Sequence, residues 1–120
     1  MPKKFTPQKL KVIVTIVNSG KGSFYSDLIE EFGINMQLLL KGRGTKPNNI
    51  DNLWGFMNDG RDVLISFVPE DKIKPILKLL EDKFETVREG SGIAFSVPMS
   101  SIIGVNVYQF LTDNRKKREV

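Results

Sequence analysis

The stretch KLKVIVTIVNSGKGSFYSDLIEEF, residues 9–32, contains the change of period on which the fold turns. Residues 9–17 are dense in β-branched side chains and stop at Asn18, Ser19 and Gly20, which predicts a strand ending in a turn. From Ser23 the spacing changes. Phe24, Leu28 and Phe32 recur at steps of four, Tyr25 and Ile29 stand beside them, and Gly33 follows where a helix C-cap would sit. A strand, a glycine turn and an amphipathic helix are therefore predicted.

Working outward, residues 35–41 (NMQLLLK) and 62–68 (DVLISFV) predict a second and a third strand. Between them lies a polar excursion, residues 46–61, holding Trp54, Phe56 and Met57. Pro69 opens a second helical pattern, with Glu70 and Asp71 in its first turn and Ile73, Ile76, Leu77, Leu80 and Phe84 on one face. Pro75 removes a backbone donor there, so either the first turn is distorted or the regular helix starts later than the apolar pattern. Residues 93–97 (IAFSV) predict strand four, and residues 105–112 a shorter fifth.

The order strand, helix, strand, strand, helix, strand is that of an α+β, ferredoxin-like βαββαβ sandwich with an antiparallel sheet. Two helices cover one face of such a sheet. Yet Val12, Ile13 and Val14, Leu38 to Leu40, and Val63 to Ile65 put aliphatic side chains on both faces. Leaving them in water would forgo roughly 1.5–3 kcal/mol each. Another copy of the chain in a closed oligomer is the cover we expect; the alternative is a C-terminal segment folded back over the face.

The 120 residues suffice for one domain, residues 1–112, followed by a basic tail, residues 113–120. Lys and Arg total 18 against 14 Asp and Glu, a net +4, but the excess sits at the two ends and the middle of the chain is mildly acidic. That distribution argues against a whole surface built to bind phosphate backbones. With no His and no Cys, imidazole and thiolate nucleophiles, imidazole or thiolate zinc sites and disulfides are excluded. Asp51, Asp59 and Asp62 surround the excursion as oxygen ligands a magnesium ion would accept, but no acid and base constellation rises above ordinary surface. We therefore expect a cytoplasmic binding protein, with no catalytic or metal-ligating residues, no required cofactor and no membrane span.

Three glycine-rich segments fall at strand ends: Gly20-Lys21-Gly22, Gly42-Arg43-Gly44-Thr45 and Gly90-Ser91-Gly92. Successive amides in such turns form anion-binding concavities, and Lys21, Lys41, Arg43, Lys46 and Arg88 stand beside them. None is a P-loop, since Thr15 and Gly22 occupy positions where that motif needs glycine and Ser or Thr. Taken singly, each set of glycines is equally what a turn with positive φ requires.

The strings SGKG, LLLKGRGTKP and GSGIAFSVPMSSIIG, in this order, resemble the PII-type nitrogen-regulatory signalling proteins and their PII-like relatives over residues 9–105. The resemblance implies a homotrimer of ferredoxin-like subunits packed sheet to sheet, with a small effector, an adenine nucleotide, in the cleft between subunits. It implies a target protein contacted by the excursion after strand two. Carried over by motif, Gly42, Gly44, Thr45, Gly90, Ser91 and Gly92 would face the nucleotide, with Arg43 and Arg88 as adjacent charges. Trp54, Phe56 and Met57 are then either a plug on the trimer's own surface or a docking site for the partner protein.

The sequence departs from the better-known members at several points. Ser91 and Ile93 stand where they carry an acid and a lysine, as in GDGK, and Ser100 to Ile103 offers no counterpart to their paired arginines. Lys46 or Pro47 replaces the glutamine that helps hold magnesium and 2-oxoglutarate, so 2-oxoglutarate sensing does not carry over. The excursion holds no tyrosine for uridylylation. A nucleic-acid-binding ferredoxin-like module that uses the basic tails is the competing reading. It is disfavoured because the central strands lack the aromatic platforms that stack bases.

Overall fold

The computed structural model of the chain describes residues 9–44 and 60–100. In order come β1 (Leu10–Asn18), α1 (Gly22–Glu30), β2 (Gln37–Arg43), β3 (Gly60–Pro69), a 3-10 turn (Glu70–Lys72), α2 (Ile73–Thr86) and β4 (Gly92–Pro98). The four strands form one antiparallel sheet ordered β2-β3-β1-β4. This is the α+β, ferredoxin-like arrangement that the element order implied. The predicted fifth strand over residues 105–112, the aromatics Trp54, Phe56 and Met57, and the tail 113–120 lie outside the described residues.

Strand parity sets the two faces. On one, Ile13, Thr15 and Val17 of β1 stand beside Leu64, Ser66 and Val68 of β3, all fully buried beneath the helices. Tyr25 and Ile29 of α1 and Ile76 and Leu80 of α2 complete this core. The stripe expected on α1 is turned. Tyr25 and Ile29 are fully buried, whereas Phe24 is 40% exposed. The hydroxyl of Tyr25 fixes that rotation by donating to the Gly90 carbonyl.

Pro75 is accommodated by the first of the two expected adjustments, since the regular helix starts at Ile73, where the apolar pattern starts. The chain tightens into the 3-10 turn first and the regular helix starts at Ile73, so Pro75 falls in its first turn, where a backbone N–H has no intrahelical acceptor. Beyond the other helix, the Lys72 ammonium donates to the Phe32 carbonyl at 2.7 Å and ties down the turn that follows α1.

The opposite face is open. It carries Val12, Val14 and Ile16 of β1 with Val63, Ile65 and Phe67 of β3, all half-buried. Toward its sides Leu38, Leu40, Phe95 and Val97 are 41–48% exposed. The aliphatic character of both faces is thus real, and in a single copy the described residues cover only one. No described helix is long and apolar enough to cross a membrane.

Candidate functional site

Register brings the three glycine segments to one end of the sheet. Arg43 pairs with Gly60, Asn18 with Arg61, and Val17 with Gly92, so the end of β2, the turn after β1 and the turn before β4 share that end. Within it they are spread out. Gly42 and Gly44 lie on the β2 edge and Gly90 and Gly92 on the β4 edge, with β3 and β1 between them. Three strand spacings separate those edges by about 14 Å.

The turn after β1 is not an open anion site, which corrects the expectation for Gly20-Lys21-Gly22. The Asp62 carboxylate already fills it. Oδ2 accepts the N–H of Gly20 at 3.0 Å and of Gly22 at 2.8 Å, while Oδ1 accepts Lys41 Nζ at 2.7 Å. Gly22 is required here, because a Cβ would lie 2.8 Å from that same Oδ2 and 2.5 Å from Leu39 Cδ1. Burial pushes the Asp62 carboxyl up. The Lys41 hydrogen bond, the amides of Gly22 and Gly20 and the Lys41 charge outweigh it and hold the group below its ordinary range. Asp62 is thereby removed from any magnesium set; Asp51 and Asp59 lie outside the described residues.

The turn before β4 is held by neutral hydrogen bonds. Tyr25 donates its hydroxyl to the Gly90 carbonyl at 2.6 Å, and the Asn18 side-chain amide donates to the Glu89 carbonyl at 3.0 Å. Burial pushes the Tyr25 hydroxyl up to about 12, so it remains a donor at neutral pH. Glu89 adopts φ 56, a left-handed conformation that costs a side-chain-bearing residue about 1–2 kcal/mol. The chain accepts that strain where Asn18 and Tyr25 clamp the backbone. Gly90 and Gly92 are both needed for packing: a Cβ at Gly90 would lie 2.7 Å from Tyr25 Oη, and one at Gly92 2.6 Å from the Ile16 carbonyl oxygen.

Gly42 differs. It is exposed within β2, and among the described residues a Cβ on it would meet Val63 Cγ2 at 3.5 Å and Arg61 Cβ at 4.0 Å, both ordinary contacts. Its φ is not in the left-handed region, so among the described residues neither packing nor conformation calls for glycine there. Glycine inside a strand weakens it and often marks close approach by another backbone or a ligand. Arg43 is exposed beside it and Arg88 is exposed in the other turn, while Ser91 is half-buried. Thr45 lies outside the described residues.

The reading from residue types missed Asp62, Tyr25 and Asn18 as the groups that hold these turns. A signal existed for Asp62. It shares strand parity with Leu64, Ser66 and Val68, so its carboxylate had to point inward and find donors.

No protein-family model matches the chain, and no curated protein matches it in sequence. Solved structures do match in fold. CPII from Thiomonas intermedia K12, bound to ADP, AMP and acetate, aligns with TM-score 0.59 at 21% identity over 79% of this chain and 90% of its own. The apo form of the same CPII, a nitrogen regulatory PII-like protein, aligns with TM-score 0.58 at 24% identity over 75% and 88%. PII of Arabidopsis thaliana bound to citrate aligns with TM-score 0.59 at 18% identity over 82% and 85%. The chain therefore has the fold of the PII-like proteins, as the resemblance in sequence implied.

Proposed function

We propose that this chain is a PII-like regulatory protein that binds an adenine nucleotide as effector at the seams of a homotrimer. The observation that carries the reading is Gly42, which among the described residues lies in an edge strand and is not required by packing. It lies at the same sheet end as Gly90 and Gly92 but on the opposite edge of the four described strands. In a head-to-tail ring of copies, the β2 edge of one subunit faces the β4 edge of the next. The two glycine segments then line one cleft, with Arg43 and Arg88 as cations for the phosphates and Gly44, Thr45 and Ser91 completing the wall. The open apolar face supports the same assembly, since packing it against sister copies removes those side chains from water. ADP and AMP bound to CPII support the choice of nucleotide.

In this reading the output is binding rather than turnover. The nucleotide biases residues 46–61, with Trp54, Phe56 and Met57, toward or away from a partner protein by its difference in affinity for the two loop states. Nitrogen metabolism is the setting suggested by CPII, a nitrogen regulatory PII-like protein.

Two measurements separate the parts of the proposal. Sedimentation should give a trimer, and a stable monomer in dilute solution overturns the assembly and with it the cleft. Calorimetry with ATP, ADP and AMP should give saturable binding to the trimer, and absence of binding by all three overturns the nucleotide while the trimer stands. Replacing Gly44 with a bulky residue should abolish binding and leave the trimer intact.

A further inference from the structure

Two side chains grip adjacent carbonyls in the turn before β4. Asn18 donates its side-chain amide to the Glu89 carbonyl at 3.0 Å, and the Tyr25 hydroxyl donates to the Gly90 carbonyl at 2.6 Å. Each grip holds the plane of one peptide, the first between Glu89 and Gly90 and the second between Gly90 and Ser91. Among the described residues every peptide is trans, so an N–H points opposite to the carbonyl of its own plane. The first plane turns the Gly90 N–H to the Val87 carbonyl, which accepts it at 3.0 Å and closes the turn. The second draws its carbonyl in toward the fully buried Tyr25 and so turns the Ser91 N–H away from the helix-covered core. Pairing of β1 with β4 stops at Val17 and Gly92, which leaves this amide past the end of the ladder.

We infer that Tyr25 is a positioning residue for the effector: by holding the Gly90 carbonyl inward, its hydroxyl presents the Ser91 N–H outward to a phosphate of the bound nucleotide. The inference rests on the nucleotide reading above and adds to it a residue 65 positions away from Gly90 in sequence. Glycine makes such a grip necessary. Gly90 joins the two planes and, having no Cβ, belongs to the residue type whose torsions turn most freely. Without the hydroxyl the second plane is released, and the Ser91 N–H turns with it. Tyr25 is suited to the task because its ring packs edge to face on Phe24 and Phe84, with centroids 5.0 and 5.4 Å away, so the hydroxyl stands on a fixed base. Burial also pushes the hydroxyl up to about 12, which keeps it a donor at neutral pH. An amide set in advance spares the bound state the entropy of ordering the turn, and its bond to a phosphate oxygen is charge-assisted.

Tyr25→Phe keeps the ring and removes only the hydroxyl. Calorimetry with ADP should show an affinity lower by roughly tenfold or more, as expected for a charge-assisted hydrogen bond lost from the phosphate. Ile76→Val controls for destabilisation alone, since Ile76 is fully buried in the same core but belongs to the first half of α2, away from the turn. It should leave ADP affinity unchanged. A smaller loss in Tyr25→Phe, or an equal loss in Ile76→Val, overturns the positioning role. The amide itself gives the second readout. In an NMR titration of the unsubstituted protein, saturating ADP should move the Ser91 amide proton downfield, and in Tyr25→Phe saturation should leave it near its free position. A Ser91 amide that does not respond in the unsubstituted protein, or that moves equally in the variant, overturns the role as well. Absence of ADP binding by the unsubstituted protein is a separate failure, which overturns the nucleotide reading and this role with it.

Discussion

The two edges of the sheet carry glycines for opposite reasons. At the β4 edge, Gly90 and Gly92 sit under Tyr25 and against the Ile16 carbonyl, and the fold by itself explains them. At the β2 edge, Gly42 has an ordinary backbone and room for a methyl group among the described residues, which do not explain it. A glycine forced by internal packing says little about a ligand. One that is free of such constraint points outside the chain. Between the edges, the turn at Gly20 and Gly22 is a third case, an anion nest that its own protein has filled with Asp62.

The largest effect is expected at that filled nest. Asp62→Ala leaves the Gly20 and Gly22 amides without their acceptor and should destabilise the fold by about 3 kcal/mol in denaturant unfolding. Little of this comes from Lys41, whose side chain is 69% exposed. The carboxyl is held below its ordinary value in the folded state, so its contribution is present at neutral pH and declines as pH falls below about 4. The wild type should therefore lose stability over that acid range more steeply than Asp62→Ala. Parallel pH profiles would break the assignment of Asp62 as the ion filling the turn.

Next come the groups that fix the β4 edge. Gly92→Ala drives a Cβ to within 2.6 Å of a backbone oxygen of the central strand β1 and should cost about 2 kcal/mol. Tyr25→Phe leaves the buried Gly90 carbonyl without its donor and should cost about 1.5 kcal/mol. Tyrosine titrates near about 10 when unfolded and near 12 here, so this contribution is full below the lower value and disappears as pH rises through the upper. An unchanged stability in either variant would mean that the β4 turn is not set by packing.

Much of this fold was legible in the sequence because it rests on period. The switch from β-branched alternation to steps of four between Val17 and Phe24 gave the first strand and helix, and doubled aliphatics such as Val12-Ile13-Val14 gave the two-faced sheet. What was not legible depends on contacts distant in sequence. Asp62 reaches Gly20 and Gly22, and Tyr25 reaches Gly90, across separations of 42, 40 and 65 residues, and spacing along the chain carries no trace of such pairings. The orientation of α1 was misread for the same reason: apolarity alone favours Phe24, but only Tyr25 offers a hydroxyl that the Gly90 carbonyl can use. Among the candidate ligand residues, three glycine segments looked equivalent in sequence and became distinct once their neighbours in space were known.

The smallest effect on stability sharpens the comparison most. Gly42→Ala adds a methyl group at an exposed strand position where it makes ordinary contacts with Val63 and Arg61, and alanine is favoured over glycine there by roughly 0.5–1 kcal/mol. Measured on the isolated subunit fold, the variant should be as stable as the wild type or slightly more so. Binding should move the other way. If the β2 edge meets a nucleotide or the β4 edge of a neighbour at close range, the added methyl weakens that approach, and calorimetry should give at least a tenfold loss in nucleotide affinity. Gly92→Ala shows the reverse order of effects, with stability falling first. Should Gly42→Ala leave both affinity and assembly unchanged, a glycine that the described residues do not require would have no external reason either, and the β2 edge would cease to be part of the site.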